Sequence, residues 1–134
     1  MEIEALAREA VDCGFRIHRD LGPGLLESVY ETIMVRSLEK RGLRVERQTP
    51  ISFAYDGLTF DDAFRVDLVI DDRLLVELKS VEKIAPVHGK QVLTYLRLMN
   101  LPLGLLMNFG AATFKEGVQR VANGRDAIIR SKEE

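Results

Sequence analysis

Two apolar runs, Phe64-Arg65-Val66-Asp67-Leu68-Val69-Ile70 and Leu74-Leu75-Val76-Glu77-Leu78-Lys79-Ser80, are separated by Asp71-Asp72-Arg73 and carry charge inside otherwise hydrophobic segments. Their length and composition predict two strands of a hairpin, about 64–70 and 74–80. Side chains alternate along a strand, so Glu77 and Lys79 leave one face while Leu78 leaves the other. Whether Asp67 joins them is a matter of register. A two-residue turn at Asp71-Asp72 pairs Ile70 with Arg73, sets Asp67 against Val76 and turns Glu77 to the wrong side. A three-residue connection sets Asp67 directly opposite Glu77, on one face with Lys79, and a β-bulge serves equally well. The turn residues suit either register, but only the odd offset gathers the charges.

Buried charge is costly unless it is paired, hydrogen-bonded or bound to a metal, so three ionisable groups converging from adjacent strands point to a site. Two carboxylates facing each other across a ladder repel, and a divalent cation removes that penalty. Few, hard oxygen ligands suit Mg2+ or Mn2+ better than zinc. Lys79 beside such an ion could orient or help deprotonate an attacking water, or neutralise charge developing on a phosphate. The competing account is a structural network in which Lys79 and Arg65 neutralise both acids on a solvated sheet face.

Outward from the hairpin, Ile3, Leu6, Ala7, Ala10, Val11 and Ile17 fall near helical spacing, and Leu21-Gly22-Pro23-Gly24 breaks that helix. A second helix is predicted from near Leu25 to Gly42, with Met34 as core filler. Val45, Thr49, Ile51, Phe53 and Tyr55 share one strand parity and lead to a turn at Asp56-Gly57. Pro86 opens a helix over about 87–99, closed by Asn100-Leu101-Pro102; Leu103 to Phe109 reads as a buried strand, and Lys115 to Ala122 as a last helix. The order helix, three strands, helix, strand is an α/β or α+β plan, a mixed central sheet flanked by helices.

At 134 residues and 46% hydrophobic composition, the chain is expected to form one domain over 1–134, with a loose polar tail at about 128–134. A net charge of -2 excludes a global basic field, so any phosphate-binding surface must be local. The single cysteine, Cys13, excludes an intramolecular disulfide and a cysteine-rich zinc cluster, and reads as a small buried helix residue in a reducing compartment. An acidic, amphipathic N-terminus without a secretory pattern, and no apolar stretch of spanning length, predict a cytoplasmic protein without membrane association.

Asp67, a hairpin and Glu77-Leu78-Lys79 together resemble the signature of the PD-(D/E)XK nuclease superfamily, whose restriction-endonuclease-like core has the same order of elements. Gly24-Leu25-Leu26-Glu27-Ser28-Val29-Tyr30 resembles the motif of the GxxExxY protein family. Segments 18–24, 86–88, 91–96 and 104–110 are similar to the same family. The resemblance implies that Asp67 and Glu77 bind a metal, with the backbone carbonyl of Leu78 as a further ligand and Lys79 as the catalytic lysine. It also implies that Glu27 supplies another acid to the metal and that Gln91 lines the site. Tyr95, four residues after Gln91, shares its helical face and could support it or meet substrate. No proline precedes Asp67, a departure at the loosest part of the superfamily pattern.

Several of these residues also have plainer accounts. Glu27 in a first helical turn complements the helix dipole, Glu31 one turn on reads as a solvated or salt-bridged neighbour, and Tyr30 as core with a hydrogen-bonded hydroxyl. His18 and His88 stand near element ends, where polar residues are ordinary, although His88 and Arg65 are also candidate substrate contacts. Gly22-Pro23-Gly24 lacks the lysine of a P-loop and is better read as a tight connection that sets Glu27 in place. Arg44, Arg47, Arg65, Lys83, Lys90 and Arg97 could form a cationic rim. The expected function is Mg2+- or Mn2+-dependent hydrolysis of phosphodiester bonds in DNA or RNA by a metal-activated water. The alternative is a non-catalytic nuclease-fold module binding nucleic acid or a protein partner, and the small size leaves room for a homodimer.

Overall fold

The structure is a computed structural model that describes residues 1–124, so the expected tail at 128–134 lies outside the described residues. Its elements run α1 (Ile3–Leu21), α2 (Glu27–Lys40), β1 (Val45–Tyr55), β2 (Leu58–Ile70), β3 (Leu74–Lys79), α3 (Pro86–Met99), β4 (Leu103–Asn108), α4 (Phe114–Gly117) and β5 (Val118–Ala122). The strands form one mixed sheet in the order β1-β2-β3-β4-β5, with β3 and β4 parallel and every other pair antiparallel. Helix α3 makes the crossover that a parallel pair requires.

Helices cover both faces. Leu6, Ala10, Cys13 and Ile17 of α1, with Tyr30, Met34 and Leu38 of α2, pack on Leu68, Ile70, Leu74, Val76, Leu78, Leu105 and Met107. On the opposite face Val92 and Leu96 of α3 pack on Val66, Val69, Leu75 and Leu106. Burial on both sides explains why β3 and β4 are almost continuously apolar. Gly14 lets α1 approach, since a Cβ there would lie 2.3 Å from Phe114 Cζ.

The β2–β3 connection has three residues. Ile70 pairs with Leu74, Val69 with Leu75 and Leu68 with Val76, the odd offset that the gathering of charges demands. The deciding contact is not local. Asp71 Oδ1 accepts the Arg44 N–H at 2.8 Å and the Asp71 N–H donates to the Arg44 carbonyl at 2.8 Å, which locks the turn to the start of β1. Asp71 and Asp72 take left-handed backbone angles, φ 50° and 58°, and the Arg73 N–H closes the turn on the Ile70 carbonyl.

Two expectations need correction. Strand β2 begins at Leu58, not near Phe64, because Asp56-Gly57 makes a two-residue turn and Leu58 pairs with Tyr55. The added residues form an exposed ribbon with β1, with Phe53 stacked on Phe60 at 5.2 Å between ring centres. The segment 115–122 is not a helix. After one turn at Phe114–Gly117 it becomes β5, pairing with β4 from Met107↔Val118 to Leu103↔Ala122. An open edge on buried β4 would leave its main-chain groups unpaired, and β-branched Val118 and Val121 suit the strand that closes it.

Candidate active site

The regular pairing of β2 with β3 stops at Leu68↔Val76, one residue before the acids. Beyond it, side chains replace the ladder. The Asp67 N–H donates to Glu77 Oε1 at 3.0 Å, and the Leu78 N–H donates to Asp67 Oδ2 at 2.8 Å. Strand β2 also changes face here: Phe64 and Val66 pack on the α3 side, whereas Leu68 and Ile70 pack on the side of α1 and α2. Strict alternation, and with it a flat face shared by Asp67, Glu77 and Lys79, does not hold through Asp67. Instead the two carboxyl groups meet in the seam where the strands part.

The meeting is costly. Glu77 is 6% exposed, and burial, followed by the negative charge of Asp67, pushes its carboxyl up to about 8. Lys79 and the Asp67 N–H pull the other way without prevailing. Among the described residues neither Lys79 nor Arg65 is ion-paired with Asp67 or Glu77, so the neutralising network imagined for a structural role is missing. Arg65 is exposed on β2, whereas Lys79 is half-buried at the end of β3.

Opposite Asp67, between the pairs Arg47↔Leu68 and Thr49↔Val66, stands Gln48 with a left-handed φ of 49°. Its side-chain amide donates to Glu31 Oε1 at 2.5 Å and to Asp67 Oδ1 at 3.2 Å. Arg47 grips the other oxygen of Glu31 at 2.7 Å. Glu31 is therefore salt-bridged, as expected, but buried rather than solvated. Gln48 escaped sequence reading, because an isolated glutamine in a strand carries no signal until its backbone angle and the helix opposite are known.

Tyr30 explains the spacing of Gly24, Glu27 and Tyr30. Fully buried and stacked on Phe109 at 4.4 Å, it donates its hydroxyl to the Gly22 carbonyl at 2.6 Å and accepts the Leu25 N–H at 3.2 Å. Gly22 and Gly24 supply the positive φ that this loop needs. The Ser80 hydroxyl donates to the Leu25 carbonyl at 2.6 Å, tying the loop to the end of β3. Glu27 thus opens α2 beside Asp67, and Glu27, Ser28, Glu31, Gln48, Asp67 and Leu78 line a cavity of about 270 Å3. Through Glu27 and Ser28 this cavity adjoins an open groove of about 690 Å3 between residues 23–28 and 80–82. Behind the seam, buried Asn108 accepts the N–H groups of Val81 and Gly110 and donates to the Val81 carbonyl, which fixes the chain leaving Lys79.

The remaining candidates divide. Tyr95 stacks on Phe64 at 4.2 Å, and burial together with the charges of Glu77 and Asp67 raises its hydroxyl pKa. Gln91 is exposed on α3 one turn earlier, with no hydrogen bond to either carboxyl group. His88 accepts the Ala85 N–H at Nδ1, a local cap at the start of α3. His18 is buried and donates from Nε2 to the Ala111 carbonyl. Of the possible cationic rim, Arg47 is committed to Glu31 and Arg44 is paired with Asp72.

The oxygens at the seam are of the kind a divalent cation prefers. Asp67 and Glu77 offer hard oxygens in contact, no histidine or thiol competes, and the repulsion between them is what a cation would remove. Among the described residues no three or more His, Cys, Asp or Glu side chains are grouped to hold an ion. Asp67 and Glu77 are the residues present that would hold such an ion, and Glu27 and Glu31 line the cavity beside Asp67. No helix among the described residues is long and apolar enough to cross a membrane.

Comparison with known protein families gives a match over most of the chain. The model of the PD-(D/E)XK nuclease superfamily matches residues 4–121, which include all of these elements except the first residue of α1 and the last residue of β5. No curated protein and no solved structure matches the chain.

Proposed function

Because the chain belongs to the PD-(D/E)XK nuclease superfamily, we propose that it hydrolyses phosphodiester bonds of nucleic acid with Mg2+ or Mn2+ held between Asp67 and Glu77. Nucleases of this superfamily typically use divalent metals. The single observation that carries the reading is the acid pair itself: two carboxyl groups pressed together in a seam, one held near 8, with neither acid ion-paired among the described residues. Natural folds rarely keep such a penalty without a use for it.

The roles follow from position. Asp67 and Glu77 would hold the ion, with the Leu78 carbonyl as the nearest main-chain oxygen between Glu77 and Lys79. When bound, the cation supplies charge that favours attack by water and offsets negative charge developing on the phosphate. Lys79, at the open end of β3, would neutralise phosphate charge or orient the water. Glu27 faces the cavity shared with Asp67 and could hold a water there. Tyr95, on the α3 side, would meet substrate, and the groove beyond Glu27 would give a path for the strand to be cut. The loop held by Tyr30, which gives Gly24, Glu27 and Tyr30 separate jobs, supports membership of the GxxExxY family within the superfamily.

The test is incubation of the purified protein with single- and double-stranded DNA and RNA in Mg2+ or Mn2+, beside Asp67→Ala and Lys79→Ala. Cleavage by the wild-type protein and its loss in both variants is the expected result. No cleavage with either ion across these substrates, or equal cleavage by Asp67→Ala, overturns the proposal.

A further inference from the structure

We propose that Gln48 is a positioning residue of this site, a neutral double donor that tethers the carboxylate of Asp67 to buried Glu31. The inference rests on the reading of Asp67 as a cation ligand and extends it to a strand that the acid pair does not include.

Adjacent residues of a strand ordinarily point to opposite faces. Here Arg47 and Gln48 are adjacent, yet both reach Glu31, one on each carboxylate oxygen. The left-handed backbone at Gln48, φ 49°, is what brings consecutive side chains to the same side. A non-glycine residue seldom adopts that region and keeps it where its surroundings require it. What it secures is specific. One amide nitrogen carries two hydrogens, and each goes to a different acid, Glu31 on α2 and Asp67 on β2. Rotating the amide by half a turn would set its oxygen against both carboxylates, so its orientation is fixed by charge.

The chain Arg47, Glu31, Gln48, Asp67 therefore runs from an exposed arginine through a buried glutamate to a carboxylate of the seam. Asp67 Oδ2 is held by the Leu78 N–H and Oδ1 by Gln48, so both oxygens are oriented before any ligand arrives. Loss of outer partners that orient ligands typically lowers metal affinity by about 10–100-fold.

Two variants separate the tether from the backbone strain. Gln48→Gly relieves the positive φ and deletes the amide, whereas Gln48→Met keeps the length and deletes only the donors. With MnCl2 as the probe and calorimetry as the readout, both should bind about 10–100-fold more weakly than wild type. The metal-free melting temperature of Gln48→Gly should be unchanged or higher. Affinity within about twofold of wild type in either variant would overturn the tether, since a merely structural residue leaves affinity alone once the fold is intact. Absence of Mn2+ binding in the wild type would instead overturn the cation site, and this role with it. Nuclear magnetic resonance of the unmutated, 15N-labelled chain is independent of variant folding. The two Nε2 protons of Gln48 should give separate, exchange-protected signals, and rapid exchange with water would overturn the proposal.

Discussion

The two ends of the β2–β3 hairpin are made from the same strands and behave as opposites. Near the turn, Leu68–Ile70 and Leu74–Val76 pair in a regular ladder and bury their side chains in the apolar clusters on the two faces of the sheet. At the far end the main-chain partners separate and the carboxyl groups of Asp67 and Glu77 take over as acceptors. One end is held by burial and costs nothing in electrostatics. The other keeps buried main-chain donors satisfied while pressing together two carboxyl groups that resist being ionised at once. The site is thus a controlled failure of pairing, which the neighbouring ladder is stable enough to support.

This contrast can be broken from either end. The largest expected effect is on the open end: Asp67→Ala should lower metal-dependent cleavage by about 10^3-fold or more, since a bound ion contributes several kcal/mol to the reaction. At pH values above about 8, where Glu77 is ionised, stability should hardly move, because relief of repulsion offsets the acceptor lost to the Leu78 N–H. At the closed end, Leu75→Ala removes a fully buried side chain and should cost about 2–5 kcal/mol in denaturant unfolding. Its Mn2+ affinity in the folded state should be retained. If Asp67→Ala unfolds the protein, or Leu75→Ala abolishes metal binding while folded, the two ends are not separable.

How much of this could be read in the sequence depends on distance. The acid pair was legible because charge inside an apolar strand stands out locally, and the two-sided core followed from helical and strand spacing. The register was not decided locally, since Asp71 settles it by bonding to Arg44 at the start of β1. Lys115 to Ala122 carries an ambiguous pattern, and the empty edge of β4, a fact of the assembled sheet, made it a strand. The ribbon from Leu58 to Ala63 is exposed throughout, so it has no buried alternation to show. Gln48 depends on two unreadable facts, a positive φ and the docking of α2. Glu31 was half legible, as a salt bridge was among its readings but its partner and its burial were not.

A smaller effect of opposite sign is expected from Glu77→Gln. The side chain keeps its length, still accepts the Asp67 N–H and loses the charge that burial and Asp67 oppose. Without metal at pH 8 the variant should be more stable than wild type by about 1–3 kcal/mol, read as a shift in the denaturant midpoint. Metal binding should fall at the same time. This is the trade expected where function holds a fold below its best stability. A variant equally or less stable than wild type would mean that the acid pair is not strained.

The smallest effect is a slope with pH. Glu77 has a folded pKa raised to about 8 from an ordinary 4.5, so the native state holds a proton that the unfolded chain releases across that window. Stability of the metal-free protein from this group is fully present below about 4.5 and is lost as pH rises through about 8. Cation binding runs the other way, because the ion must displace that proton. Mn2+ affinity should therefore rise about tenfold per pH unit up to about 8 and then level off. In Glu77→Gln the slope should vanish along with most of the affinity. Calorimetry in buffers of different ionisation enthalpy counts the displaced proton directly, and a value near one at pH 7 identifies it. A flat profile between pH 6 and about 8 would show that the open end of the hairpin is already charged without its ion. The carboxyl pair would then be no more strained than the ladder beside it.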